Sequence, residues 1–232
     1  MFKLNNIKSK LLLLTFSCLL AVPIICQQEH ELWWQQNLAT NPAMLHTFEG
    51  WLGDENTPSR IAVRNHVIHQ KYTSILDAAC GLCTEKIGYY KKQYKITYIG
   101  LDITNYLVEL GKQHGIDCRL GSIEAIPLTD NSVDVTYARH ILEHLPYYKI
   151  ALNELVRVAK REAIIVFFLA PHAQVDVIDY NKYNGCWLYH NRYNKENIEA
   201  FLATNKSVGK FYWEAVSPSS ELILHVIKKY TI

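Results

Sequence analysis

Hydrophobic and polar positions change period several times along the chain, and each change marks a new element. Ser74–Ala79, Ile96–Ile103, Cys118–Leu120 and Val133–Tyr137 are short, largely apolar runs at strand length. Ala163–Leu169 (AIIVFFL) is apolar throughout, as a central parallel strand buried on both faces would be. Between these runs the spacing turns helical. Thr84 is placed to cap a helix over Glu85–Tyr94, and Glu85 sits in its favoured first turn. A helix over Thr104–His114 is stopped by Gly115. His140–Ala159 reads as one long amphipathic helix with Leu142, Leu145, Leu152, Leu155 and Val156 on its apolar side. Asn194 would cap Lys195–Thr204, and Phe211–Val216 and Leu222–Lys228 close the chain as neighbouring strands. Upstream, Gln28–Tyr72 is helical and aromatic-rich, with Trp33, Trp34, Phe48 and Trp51, a turn at Gly53-Asp54, and a helix through Arg60, Val63, Val67 and Ile68 capped by Ser59.

Strands alternating with helices imply an open, mostly parallel sheet with helices on both faces, the α/β class. A chain of 232 residues suits one such domain with an extension. With 49% hydrophobic and 20% charged residues, disorder is excluded. The net charge of +2, from 24 Lys+Arg against 22 Asp+Glu, lacks the one-sided basic surface of a nucleic-acid binder. Six cysteines are too few for a disulfide scaffold in a chain able to bury a core.

The N-terminus carries a separate signal. Lys3, Lys8 and Lys10 precede the apolar run Leu11–Cys26, whose 16 residues span about 24 Å as a helix against about 30 Å of hydrocarbon. That length is short for a span and sufficient for a signal-peptide core, yet no A-x-A pattern precedes Gln27 and no small residue directly precedes Cys26. Residues 1–26 are read as a signal peptide or an uncleaved anchor, with membrane association through residues 11–26 and the lysines on the cytoplasmic side. A buried N-terminal helix is the less favoured alternative, because the run has neither a polar face nor a helical period.

Ligands of open parallel sheets bind outside the carboxyl ends of the strands. The first strand ends in Asp77-Ala78-Ala79-Cys80-Gly81-Leu82-Cys83, and the second in Gly100-Leu101-Asp102, 21 residues after Gly81. A tight turn followed by an acidic residue on the next strand is a physical recipe for a ribose-bearing cofactor. The turn lets backbone approach the ligand, and the carboxylate accepts from ribose hydroxyls. The three glycines that admit a pyrophosphate are missing, which favours a nucleoside cofactor without phosphates.

The segments ILDAACGLCTE, YIGLDIT, RLGSIEAIPLTDNSVDVTYARHILEHL and ELVRVAKREAIIVFF resemble, in this order, the class I S-adenosylmethionine-dependent methyltransferases of the type 11 small-molecule group. The resemblance covers residues 74–169 motif by motif and 194–229 more loosely. It implies a Rossmann-like, doubly wound, seven-stranded sheet over residues 73–232, preceded by a helical extension, residues 27–72, that could form a lid. It further implies S-adenosylmethionine as cofactor and a small molecule as methyl acceptor. Asp77 then orients the cofactor's amino-acid end, Ala79 and Gly81 belong to the glycine loop, Asp102 with Ile103 holds the ribose, and Ser122 with Ile123 forms the adenine turn. Arg139 follows the fourth strand and faces the cofactor, and His140 is the candidate base, since imidazole titrates near neutrality. Trp33, Trp34 and Trp51 are either a substrate wall or ordinary packing, and Tyr189–Tyr193 either a substrate-facing insertion or a polar loop. The chain departs from the family at Ala79 and Cys83, where glycine is usual, and at Ser122, where aspartate is usual.

Three other readings compete. A methyltransferase fold without activity would explain the altered loop, and an export-like N-terminus would separate the chain from its cytosolic cofactor unless residues 1–26 anchor it on the cytoplasmic side. Cys80-Gly81-Leu82-Cys83 is a CxxC after an apolar strand, the thioredoxin-like pattern, but no Trp precedes Cys80 and LTDNSVD rather than an apolar strand follows Ile126-Pro127. His140-Ile141-Leu142-Glu143-His144 has the H-x-x-E-H form of a zinc protease, yet only the distant Glu214 or Glu221 offers a third ligand. A lone CxxC is likewise a weak zinc signal, so no metal is expected.

Overall fold

The computed structural model describes residues 53–183 and 186–229. The apolar run 11–26, residues 27–52 of the extension, and with them Trp33, Trp34 and Trp51, lie outside the described residues. Among the described residues no helix is long and apolar enough to cross a membrane.

The elements follow in chain order: α1 (Pro58–His69), β1 (Ser74–Ala78), α2 (Thr84–Lys91), β2 (Thr97–Asp102), α3 (Asn105–Gln113), β3 (Cys118–Leu120), β4 (Val133–Arg139), α4 (Tyr148–Val158) and β5 (Ala159–Phe167). Four short strands come next, β6 (His172–Val177), β7 (Tyr180–Tyr183), β8 (Cys186–Tyr189) and β9 (Arg192–Asn194), then α5 (Lys195–Thr204), β10 (Val208–Ala215) and β11 (Leu222–Lys228). Seven strands form one sheet in the order β10-β11-β5-β4-β1-β2-β3, in which β11 alone runs against its neighbours. This is the doubly wound sheet expected from the sequence.

The central strands explain their own composition. Ile164 and Val166 of β5 face one core with Val63 and Val67 of α1, while Ile165 and Phe167 face the other with Leu152 and Leu155 of α4. Ile75 and Leu76 of β1 divide in the same way. Successive side chains of a strand point to opposite faces, so a strand covered on both sides must be apolar at every position.

Within that core sits a charged knot. Glu162 on β5 is buried, and its carboxylate accepts from Tyr72 Oη at 2.6 Å, His66 Nε2 at 2.8 Å and His225 Nδ1 at 2.7 Å. Glu85 of α2 is likewise buried, against Arg60 Nη1 at 2.8 Å and Arg64 Nη2 at 3.4 Å, so α1 and α2 are joined through charge as well as apolar packing.

Several expected boundaries differ. The helix over His140–Ala159 does not form. Instead β4 runs on to Arg139, His140 adopts φ +57°, Leu142–His144 makes a single 3₁₀ turn, and α4 starts only at Tyr148. Pro146 is the physical cause: it lacks an N–H and disfavours helical backbone at the residue before it, while Leu142 and Leu145 are buried without a helix. The helix face that H-x-x-E-H would need is therefore absent. Thr84 is the first residue of α2 rather than its cap; that place belongs to Cys83, at φ +55°. Ser59 likewise lies inside α1, which opens at Pro58 with its preset φ. Asn194 does cap α5, its side chain accepting from the Asn197 amide at 2.8 Å. The segment 172–194, in which only Tyr189–Tyr193 was singled out, as an insertion or a polar loop, contains two small antiparallel pairs, β6–β9 and β7–β8.

Candidate functional site

The carboxyl ends of β1, β2 and β4 bring together most of the residues singled out in the sequence. Asp77 lies opposite Gly100 and Tyr137 in the sheet register. Asp102 is two residues further along β2, and the turn after β1 folds onto it: Cys80 N donates to Leu101 O at 3.0 Å and Gly81 N to Asp102 Oδ2 at 2.9 Å. The other carboxylate oxygen accepts from Thr104 N at 2.9 Å. Burial raises the Asp102 carboxyl, and these amide bonds work against it. The turn explains the residue types. Ala79, Gly81 and Cys83 have φ of +62°, +53° and +55°, so all three positions hold the left-handed backbone that glycine favours. The loop path is kept although two of its positions carry a Cβ. The strain makes a prediction: left-handed backbone costs a non-glycine residue about 1–2 kcal/mol, against about 0.4–1 kcal/mol of extra unfolded-state freedom for glycine. Ala79→Gly should therefore raise the unfolding free energy by about 0.5–1 kcal/mol in urea titrations; a lower midpoint would mean that the alanine methyl is held by packing instead.

Asp77 is buried and accepts from Tyr98 Oη at 2.6 Å. Burial pushes its carboxyl up to about 7 against the Tyr98 bond, with the Glu85 charge adding to the rise and Arg60 opposing it. The buried Tyr137 hydroxyl, which feels the charges of Glu85, Arg60 and Asp77, has no hydrogen-bond partner among the described residues. A polar, cationic group beside Asp77 would satisfy this end of the site. Ser122 and Ile123 stand next to Asp102 because Gly121 N donates to Asp102 O at 3.0 Å; Ile123 is buried, and Ser122 Oγ accepts from Glu124 N at 3.2 Å. Ile103 continues the chain from Asp102 toward α3.

Arg139 and His140 share a partner that the sequence raised only as a distant third ligand for the H-x-x-E-H pattern. Glu221, just before β11, takes Arg139 Nη2 at 2.8 Å and His140 Nε2 at 2.6 Å on the same oxygen. Arg139 Nε also donates to Ser59 Oγ at 3.2 Å, so its fork is engaged by α1 and Glu221. Burial lowers the His140 imidazole and the Glu221 bond opposes this; Glu221, raised by burial, is brought down to about 2 by His140 and Arg139. With Glu221 ionised, Nε2 carries the hydrogen and Nδ1 the lone pair. His140, His144 and His190 surround Phe168 with ring centroids 5.3, 5.3 and 6.2 Å away. Phe168 and Glu221 join the site only through the fold, whereas His190 belongs to the Tyr189–Tyr193 segment already read as a possible substrate-facing insertion. Glu143 is buried and structural, its Oε1 accepting from Phe168 N at 2.8 Å and Leu169 N at 3.2 Å. Asn191 and Tyr193 are also buried, bonded to the Leu145 and Leu142 carbonyls, and pin the β6–β9 segment against the strand ends.

Residues 76–167 match the methyltransferase domain family. Over 107 residues the chain is 29% identical to malonyl-[acyl-carrier protein] O-methyltransferase of Yersinia pestis, a match that takes in 44% of this chain and 38% of that protein. The chain thus matches less than half the length of this curated relative. The crystal structure of magnesium protoporphyrin IX methyltransferase from Synechocystis, with bound SAH, is similar at a TM-score of 0.60 and 14% identity, over 84% of this chain and 98% of that one. An S-adenosylmethionine-dependent methyltransferase structure from Thermotoga maritima is similar at a TM-score of 0.54 and 12% identity, over 84% and all of its length. At such identities the structures speak for the fold, and the family match speaks for the motifs laid along it. The turn after β1 and the acid after β2 lie within the residues that match the methyltransferase domain family, and the seven-stranded sheet that joins them has the fold of the S-adenosylmethionine-dependent methyltransferase structures.

Proposed function

We propose that the chain transfers a methyl group from S-adenosylmethionine to a small-molecule acceptor. The observation that carries this reading is the convergence of Asp77, the left-handed turn Ala79–Cys83, and Asp102 at neighbouring strand ends. Bound there, the sulfonium compound supplies an already activated methyl group, so the protein's work is mainly to align the acceptor at about 3–3.5 Å. Asp102 fits a ribose, since each carboxylate oxygen keeps a lone pair beyond the amide it already accepts. Asp77 and the Tyr137 hydroxyl fit a charged amino-acid end. His140 takes a proton from the acceptor at Nδ1, and Glu221 orients the ring and stabilises the resulting imidazolium. Phe168 and His190, set edge to face, offer an aromatic wall beside it.

A second reading, a methyltransferase fold that binds without reacting, is favoured by Ala79 and Cys83 in the loop. Calorimetry of the full chain with S-adenosylhomocysteine tests the first step shared by both: saturable binding is expected, and no heat at millimolar ligand would remove the cofactor reading. Binding followed by no transfer of labelled methyl to any of a broad set of small hydroxyl, amine, thiol and carboxylate acceptors would favour the second.

A further inference from the structure

The CxxC of the cofactor loop gains a third cysteine from the fold. β3 pairs with β2 so that Cys118 lies opposite Gly100, directly beneath the turn that carries Cys80 and Cys83. The Cys83 sulfur is 3.0 Å from that of Cys118 and 3.6 Å from that of Cys80, well beyond the about 2.05 Å of a disulfide. All three sulfurs lie within 4.8 Å of one another, and all three residues are buried.

Two glycines make the room. A Cβ on Gly100 would stand 2.9, 3.1 and 3.3 Å from the sulfurs of Cys80, Cys118 and Cys83, so the three thiols close around this one backbone position. A Cβ on Gly111 of α3 would collide with the Cys118 sulfur. Gly111 also lines a groove of about 410 Å³ between α2 and α3, together with Leu82, Ile87, Leu110, His114 and Ile116.

We propose that Cys80, Cys83 and Cys118 form a three-thiolate site for a soft d¹⁰ cation, zinc in the first instance. The donor set is all sulfur, which selects against magnesium, calcium and manganese. In a tetrahedral zinc site with Zn–S near 2.3 Å, sulfurs stand about 3.8 Å apart, so the trio reaches ligand spacing by sub-ångström side-chain shifts. Zinc would bind the three sulfurs as thiolates, their protons passing to solvent, and leave a site of net charge −1. The start of α2 at Cys83 and Lys112 near Cys118 favour that negative charge, while the nearby Asp77, Asp102 and Asp117 carboxylates oppose it. Such a site would tie the first residue of β3 to the turn after β1, across β2, and it stands or falls independently of any methyl transfer.

The test uses the full chain with Cys18→Ser, Cys26→Ser and Cys186→Ser, which leaves these three cysteines alone. Titration with cadmium under argon and a non-thiol reductant should give sulfur-to-cadmium charge-transfer absorption that saturates at one equivalent, is displaced by zinc, and raises the thermal midpoint. Adding Cys118→Ser, or separately Cys80→Ser, should abolish the band while far-ultraviolet circular dichroism stays native. No band in the folded parent overturns the proposal, and so does a band that survives both substitutions. A reduced chain that ignores metal but forms a Cys83–Cys118 disulfide in air overturns it in favour of a redox pair.

Discussion

Replacing Glu162 by Ala is expected to lower the unfolding free energy by about 3–5 kcal/mol, the cost of stripping one partner from a buried ionic network. Three donors converge on this carboxylate: His66 of α1, Tyr72 in the connection from α1 to β1, and His225 on β11. Without it, each is left in the core with a lost bond, and α1 loses its polar link to the sheet. A surface pair makes the contrast. Lys112 and Glu109 are half exposed, and Lys112→Ala should stay within about 0.5 kcal/mol of the parent. Urea titrations of both variants decide it; a Glu162→Ala loss no larger than the surface control would mean that the knot is no tighter than an exposed pair. The acid limb gives a second readout. Burial by itself would raise the Glu162 carboxyl, but the bonds from His225, His66 and Tyr72 outweigh burial and hold it at about 2, below its ordinary 4.5. A depressed carboxyl contributes stability that is fully present above the ordinary value and lost as pH falls through the folded one. The parent should therefore lose stability between about pH 4.5 and 2 more steeply than Glu162→Gln.

Asp102→Ala should weaken S-adenosylhomocysteine binding by about 1–3 kcal/mol, roughly 5- to 150-fold, through the loss of charged hydrogen bonds. The carboxylate does two jobs at once. It accepts Gly81 N and so closes the turn after β1, and it accepts Thr104 N and so fixes the entry to α3. Asp102→Asn is no gentle control, because its amide nitrogen must face one of these two N–H groups, donor against donor. Calorimetry on the folded variants reads the effect, and an affinity equal to the parent's would place the ribose elsewhere.

Much of this was legible beforehand. The order of strand-end motifs fixed where Asp77, Gly81 and Asp102 would meet, because in a parallel sheet the carboxyl ends of neighbouring strands share one edge. The apolar run in β5 announced a strand covered on both faces, and Asn194 marked the start of α5 through its own side-chain oxygen. The long helix after His140 was misread because apolar residues at helical spacing continue across Pro146, and periodicity reports burial rather than backbone. The β6–β9 segment was missed because its strands are short and partly exposed, with little apolar alternation to see.

By itself, the sequence determined the class of fold, the turn, and the two acids that flank it, since each depends on residues close together in the chain. Only the tertiary structure decided that Glu221 meets Arg139 and His140, that His225 and His66 share Glu162, and that Cys118 completes a trio with Cys80 and Cys83. Those pairings span 35 to 96 residues along the chain. They follow from sheet order, which sets β3 beside β2 and β11 beside β5, and no local pattern of hydrophobic and polar residues encodes which strand lies next to which.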